Sequence, residues 1–131
     1  MKAIVVDDSR VSRGLIKRVL QSLGIECIEA GDGREALTVL AGTAPLPELA
    51  MLDWNMPNMN GYDLVKALRA ERRYDAMRIV MCTSETETDQ MHKALMAGAD
   101  EYIMKPFTAE GVVSKMEMLG LTPGTSEAAG A

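Results

Sequence analysis

AIVVDDSRVSRGLIKRVLQSLG, residues 3–24, reads as one strand followed by one helix. Ala3–Val6 is continuously apolar and lacks the in-out alternation of a strand wetted on one face, so it suits a parallel strand covered on both sides. Behind it, Val11, Leu15, Ile16, Val19, Leu20 and Leu23 recur at helical spacing as one apolar stripe. Arg10, Arg13, Lys17 and Arg18 fall outside that stripe. Ser9 is placed to cap the helix and Gly24 to stop it. At the junction stand two adjacent carboxylates, Asp7 and Asp8.

The unit recurs down the chain. Apolar runs predict strands at Cys27–Ala30, Leu49–Leu52, Ile79–Cys82 and Tyr102–Met104. The second of the five, within Glu26-Cys27-Ile28-Glu29-Ala30, alternates and reads as an edge strand. A second helix is predicted from about Gly33 to Leu40 after an Asp32 cap, and a third from Asn60 with Leu64, Val65 and Leu68 inward. The fourth turns Met91, Ala94 and Leu95 inward and stops at Gly98. The fifth follows a Thr108 cap and turns Val112, Val113, Met116 and Leu119 inward. Five such units with right-handed crossovers predict an α/β doubly wound sandwich around a five-stranded parallel sheet, with five helices. One domain over residues 1–121 accounts for the pattern, and residues 122–131 read as a disordered tail of small and polar residues.

Bulk composition narrows the function. A chain of 131 residues with net charge −5 lacks the clustered cations of a nucleic-acid surface. Its apolar runs are strand-sized, short of the roughly 18 residues of a membrane span. Nothing at the amino terminus reads as a signal peptide, so a cytoplasmic protein is expected. Cys27 and Cys82 fall in separate strands and read as buried core thiols, and with the lone His92 they make no zinc pattern. The 11 Met residues read as core filling.

Five residues then stand out: Asp7, Asp8, Asp53, Thr83 and Lys105, each at or just past the end of an apolar run. In a parallel sheet they converge at the carboxyl edge, where open α/β sheets bind their ligands. Paired carboxylates repel, which either a helix cap or a divalent cation relieves. Mg²⁺ takes one or two carboxylates, waters and a phosphate oxygen. Asp53 reads as an ordinary turn residue or as a nucleophile able to form an aspartyl phosphate. Thr83 and Lys105 have plain readings as a strand residue and a solvated charge. Pro106 favours a turn, cis included, that aims Lys105 back across the site, where it can hold a phosphoryl oxygen.

Val-Asp-Asp-Ser at 6–9, Asp-Trp-Asn-Met-Pro-Asn-Met-Asn-Gly at 53–61, Cys-Thr-Ser-Glu at 82–85 and Lys-Pro-Phe at 105–107 together resemble the receiver domains of two-component response regulators, the stand-alone chemotaxis regulators most of all. The resemblance spans residues 2–121 and implies a flavodoxin-like sheet of order 2-1-3-4-5. It implies Asp53 as the acceptor of a phosphoryl group from a histidine kinase. Mg²⁺ would be held by Asp8, Asp53 and the Asn55 backbone carbonyl, with Asp7 acting through water. Thr83 and Lys105 would contact the phosphoryl oxygens, and Tyr102 would be the aromatic switch that follows Thr83. Asn55 and Glu85 would tune autodephosphorylation, giving a phosphoryl lifetime of seconds to minutes. A monomer is implied that signals through the fourth helix, fifth strand and fifth helix to a target such as the flagellar switch. Asn60 departs from the family's usual Asp but caps a helix equally well.

Other readings lie close by. Within the family these are a phosphate sink or phosphorelay intermediate, and a receiver cut from a longer regulator. A haloacid-dehalogenase-like phosphatase also uses a strand-end Asp with Mg²⁺, but it carries a second Asp where this chain has Asn55. An FMN-binding flavodoxin would need a phosphate loop after the first strand, where this chain has its aspartates.

Overall fold

The computed structural model describes residues 1–84 and 88–121. Among these the chain forms β1 Lys2–Val6, α1 Arg10–Ser22, β2 Glu26–Ala30, α2 Gly33–Ala41 and β3 Leu49–Asp53, followed by α3 Gly61–Arg69 and a 3₁₀ turn at Arg72–Tyr74. Then come β4 Arg78–Thr83, α4 Thr88–Ala97, β5 Glu101–Met104 and α5 Ala109–Met118. The sheet is parallel throughout, in the order β2-β1-β3-β4-β5. Each strand is a residue or two longer than its apolar run, because Lys2, Glu26, Arg78 and Glu101 at the amino ends and Asp53 and Thr83 at the carboxyl ends still pair in the ladder. Residues 122–131 and Glu85 lie outside the described residues.

Side-chain alternation divides the core in two. Ile4, Val6, Ala50, Leu52, Ile79 and Met81 face Ala36, Leu40, Leu64, Val65, Leu68 and Ala94 from α2, α3 and α4. Ala3, Val5, Leu49, Met51, Val80, Cys82 and Ile103 face Ile16, Leu20, Val112 and Met116 from α1 and α5. This two-sided burial is why the strands are apolar without a break. The helix caps are the residues expected: Ser9, Asp32, Asn60 and Thr108 each accept a backbone N–H from three residues on.

Expected burial changes on two helices and on one edge strand. Val11 and Leu15 lie 74% and 56% exposed, although the stripe on α1 predicted burial. The sheet is reached only by the arc through Ile16 and Leu20, with Val19 and Leu23 at its flank, so the other end of the stripe is left on the rim. Leu95 on α4 is likewise exposed. Cys27 is only half-buried, as its edge position allows, while Cys82 is fully buried. Burial pushes the two thiols up to about 11 and about 12, the field of Lys17 opposing at Cys27 and that of Lys105 at Cys82. Both therefore stay protonated at neutral pH, as structural thiols do.

At the amino edge of the sheet, Arg69 ends α3 and ties four segments together. Its guanidinium donates to the carbonyls of Gly98, Tyr74 and Met77 and to the carboxylate of Asp100, at 2.8–2.9 Å. That carboxylate also accepts from the Ile79 amide at 2.8 Å. Gly98 sits at φ 122°, and the Arg69 side chain fills the space a Cβ would need.

Candidate functional site

Register sets the site. Val6 pairs with Leu52, so Asp7 and Asp53 emerge side by side from β1 and β3. Asp53 pairs with Cys82, which puts Thr83 one step further on β4, and Thr83 pairs with Met104, which places Lys105 next. The Lys105 amide donates to the Thr83 carbonyl at 2.7 Å, and the Lys105–Pro106 bond is cis. Thr83 itself is buried.

Asp7 is 1% exposed and fully engaged. Its Oδ1 accepts from the Ser9 amide at 2.9 Å. Its Oδ2 accepts from Ser12 Oγ at 2.6 Å and from Lys105 Nζ at 2.8 Å. Lys105 Nζ also donates to Ser12 Oγ at 2.9 Å and to Asp53 Oδ1 at 3.2 Å. Carboxylate oxygens of Asp7, Asp8 and Asp53 lie within 4.8 Å of one another, and Asp8 is exposed. Among the described residues here, three carboxylates face one ammonium, so ionised they carry two surplus negative charges.

Burial and the neighbouring charges together set the titration directions. Burial holds the Asp53 carboxyl above its ordinary range; Lys105 opposes this, while Asp7 and Asp8 add to it. Burial also works against the charge of Lys105, but the Asp7 hydrogen bond and the fields of Asp53 and Asp7 outweigh it, so the ammonium lies above its usual range. Lys105 is thus shared, with the shorter contact to Asp7, and Asp53 is left incompletely compensated. Close hard oxygens with an excess of two charges fit a divalent cation. With both Asp7 oxygens already bonded, Asp8 and Asp53 are the better placed to coordinate directly.

The remaining sequence candidates are spread around this centre. Asn55 is exposed on the β3–α3 loop, two residues past Asp53. Tyr102 is half-buried on β5 and lies outside the carboxylate cluster. It shares with Thr83 a small cavity also lined by Trp54, Met81, Gln90 and Met91, and Lys115 Nζ stands 4.7 Å over its ring. Ser12 and Arg13 were not picked out from sequence. Ser12 bridges Asp7 and Lys105, and Arg13 donates to the Asp7 carbonyl at 2.6 Å and pairs with Glu29 on β2 at 3.0 Å. Their signal was only a position one turn into the helix after the aspartates, where Arg13 read as solvated.

Comparison with known proteins identifies the family. The response regulator receiver domain family matches residues 3–117. A chemotaxis protein CheY homolog of Campylobacter jejuni is 43% identical over 130 residues, covering 98% of this chain and 99% of its own. Chemotaxis protein CheY1 of Helicobacter pylori is 44% identical over 120 residues, covering 91% and 96%. The crystal structure of Vibrio cholerae chemotaxis protein CheY4 superposes with a TM-score of 0.81 at 33% identity, covering 89% of this chain and 96% of that one. The family match over most of the chain and the near-complete coverage of relatives above 40% identity show that the chain belongs to the response regulator receiver family.

Proposed function

We propose that this protein takes a phosphoryl group from a histidine kinase onto Asp53 and thereby switches a partner-binding face in chemotaxis signalling. The meeting of Asp53 with Asp7, Asp8 and Lys105 at one sheet edge carries the reading. An Asp53 oxygen forms the new bond to phosphorus while the donor's phosphorus–nitrogen bond breaks, its electron pair leaving with the imidazole nitrogen. Mg²⁺ held by Asp8, Asp53 and the Asn55 carbonyl, with Asp7 through water, would offset the charge repulsion between carboxylate and phosphoryl group. Lys105, 3.2 Å from Asp53, supplies a cation within reach of a phosphoryl oxygen.

Phosphorylation adds about −1.5 to −2 charge at Asp53. Lys105 then shifts from Asp7 toward the phosphoryl group and the Thr83 hydroxyl donates to it, altering the cavity that Thr83 shares with Tyr102. Leu95 and Met96 on α4, Met104 on β5 and Met118 on α5 are exposed, an adaptable apolar face for a target such as the flagellar switch. The chemotaxis names of the relatives support this output over a phosphate sink. With Asn55 exposed beside the site, the phosphoryl group is expected to last seconds to minutes. A chase of labelled protein measures this, and persistence over many hours contradicts it.

The donor needs a seat beside Asp53. A groove of about 650 Å³, lined by Val11, Leu15, Ile16, Pro106 and Phe107, runs from α1 to Lys105 and suits an apolar helix of the donor. Leu15→Asp should slow transfer from the kinase by about tenfold, while labelling by acetyl phosphate, which needs no docking, stays at the wild-type rate. Equal loss with both donors would contradict this docking.

A further inference from the structure

The loop between β3 and α3 carries Asn55, yet residues 54–60 form no helix or strand of their own. Three ties hold it. The Gly61 amide donates to the Trp54 carbonyl at 2.9 Å and closes its base. The Gly33 amide at the start of α2 donates to the Met59 carbonyl at 3.2 Å. There is no room for a Cβ on Gly33, because Met59 Cγ and O lie 2.7 and 2.8 Å from where it would stand. The third tie is made by side chains: Asn58 Nδ2 donates to Asp32 Oδ2 at 2.9 Å. Asn58 stands at φ 65°, a left-handed conformation that Asn tolerates better than most residues. Asp32 uses its other oxygen to cap α2, accepting from the Glu35 amide at 2.8 Å. One carboxylate therefore fixes both the start of a helix and the tip of a neighbouring loop.

We infer that the Asp32–Asn58 hydrogen bond is a strap that holds the β3–α3 loop in the shape the cation site needs, making Asn58 and Asp32 positioning residues for cation binding. The inference rests on the cation site proposed above. Neither residue touches the carboxylate cluster, and both lie on loops at the same sheet edge as Asp53. Loosening the loop adds an ordering cost to every binding event, which lowers affinity without altering the carboxylates themselves.

Two substitutions cut the strap while sparing what else the residues do. Asn58→Gly keeps the left-handed backbone accessible. Asp32→Ser keeps a capping oxygen on α2. In titration calorimetry of the EDTA-stripped protein with Mg²⁺, each should raise the dissociation constant about fivefold. The two together should do no worse than either alone, because they break one bond. Asp32→Asn combined with Asn58→Asp, which rebuilds the bond with donor and acceptor exchanged, should recover most of the affinity. Melting without metal separates positioning from stability: Asp32→Ser should melt within a degree or two of wild type. Wild-type affinity in both single variants, or independent additive losses, would overturn the strap alone. Absence of Mg²⁺ binding by the wild-type protein would overturn the cation site and the strap with it.

Discussion

Asp53→Asn should lose labelling by acetyl phosphate in the presence of Mg²⁺ by at least about a hundredfold, since the amide offers no anionic oxygen to attack phosphorus. The same variant should not be less stable in the absence of metal. Burial holds the Asp53 carboxyl above its ordinary range, so the fold favours its protonated form. Its contribution to stability is fully present below the range where an unfolded aspartate ionises, and is lost as pH rises through the folded value. At neutral pH the ionised side chain is therefore a net cost, which the amide removes, and Lys105 keeps its shorter contact with Asp7 at 2.8 Å. Melting in EDTA should show the variant equal to or above wild type, with the gap closing as pH falls into the aspartate range. Added Mg²⁺ should reverse the order by stabilising wild type more than the variant. A variant that labels normally would remove Asp53 from its role. One that melts well below wild type in EDTA would contradict the electrostatic account of the metal-free protein.

Arg69→Ala should destabilise the fold by about 2–4 kcal/mol, because it leaves the carbonyls of Gly98, Tyr74 and Met77 and the Asp100 carboxylate without their shared donor. For a domain of this size that lowers the melting midpoint by about 10 °C. Arg69→Lys should recover little, since one ammonium cannot reproduce the planar fork that meets these acceptors at 2.8–2.9 Å. The clamp lies at the edge opposite Asp53, so phosphorylation by acetyl phosphate should persist at temperatures where the variants are still folded. Urea or thermal unfolding of both variants checks this. A drop under 1 kcal/mol for the alanine variant would show that water replaces the guanidinium at little cost.

What the sequence made legible, and what it did not, divides along physical lines. Local signals carried well: continuous apolar runs marked strands buried on two faces, and Ser9, Asp32, Asn60 and Thr108 marked helix starts because capping chemistry acts over three residues. The site was legible because a parallel sheet brings every strand's carboxyl end to one edge, which let Asp7, Asp8, Asp53, Thr83 and Lys105 be gathered without knowing the register. Burial on α1 was over-read, since periodicity shows which residues share a stripe and not how much of it the sheet covers. Val11 and Leu15 were left exposed for that reason. Ser12 and Arg13 were missed because small polar and basic residues in a first turn look like solvated surface until a buried Asp7 is placed against them. The Arg69 clamp was out of reach altogether: its acceptors lie 5 to 31 residues away and are mostly backbone carbonyls, which leave no mark in composition.

The central claim is that the rim of the sheet delivers a phosphoryl group to one carboxylate. Peptide mapping by mass spectrometry, after acetyl phosphate treatment with Mg²⁺ and reductive trapping of the acyl phosphate with borohydride, tests it directly. Reduction should convert a single aspartate to homoserine in a Mg²⁺-dependent manner, and that residue should be Asp53. Conversion at Asp7 or Asp8 instead, or none at all in protein that binds Mg²⁺, would contradict the account.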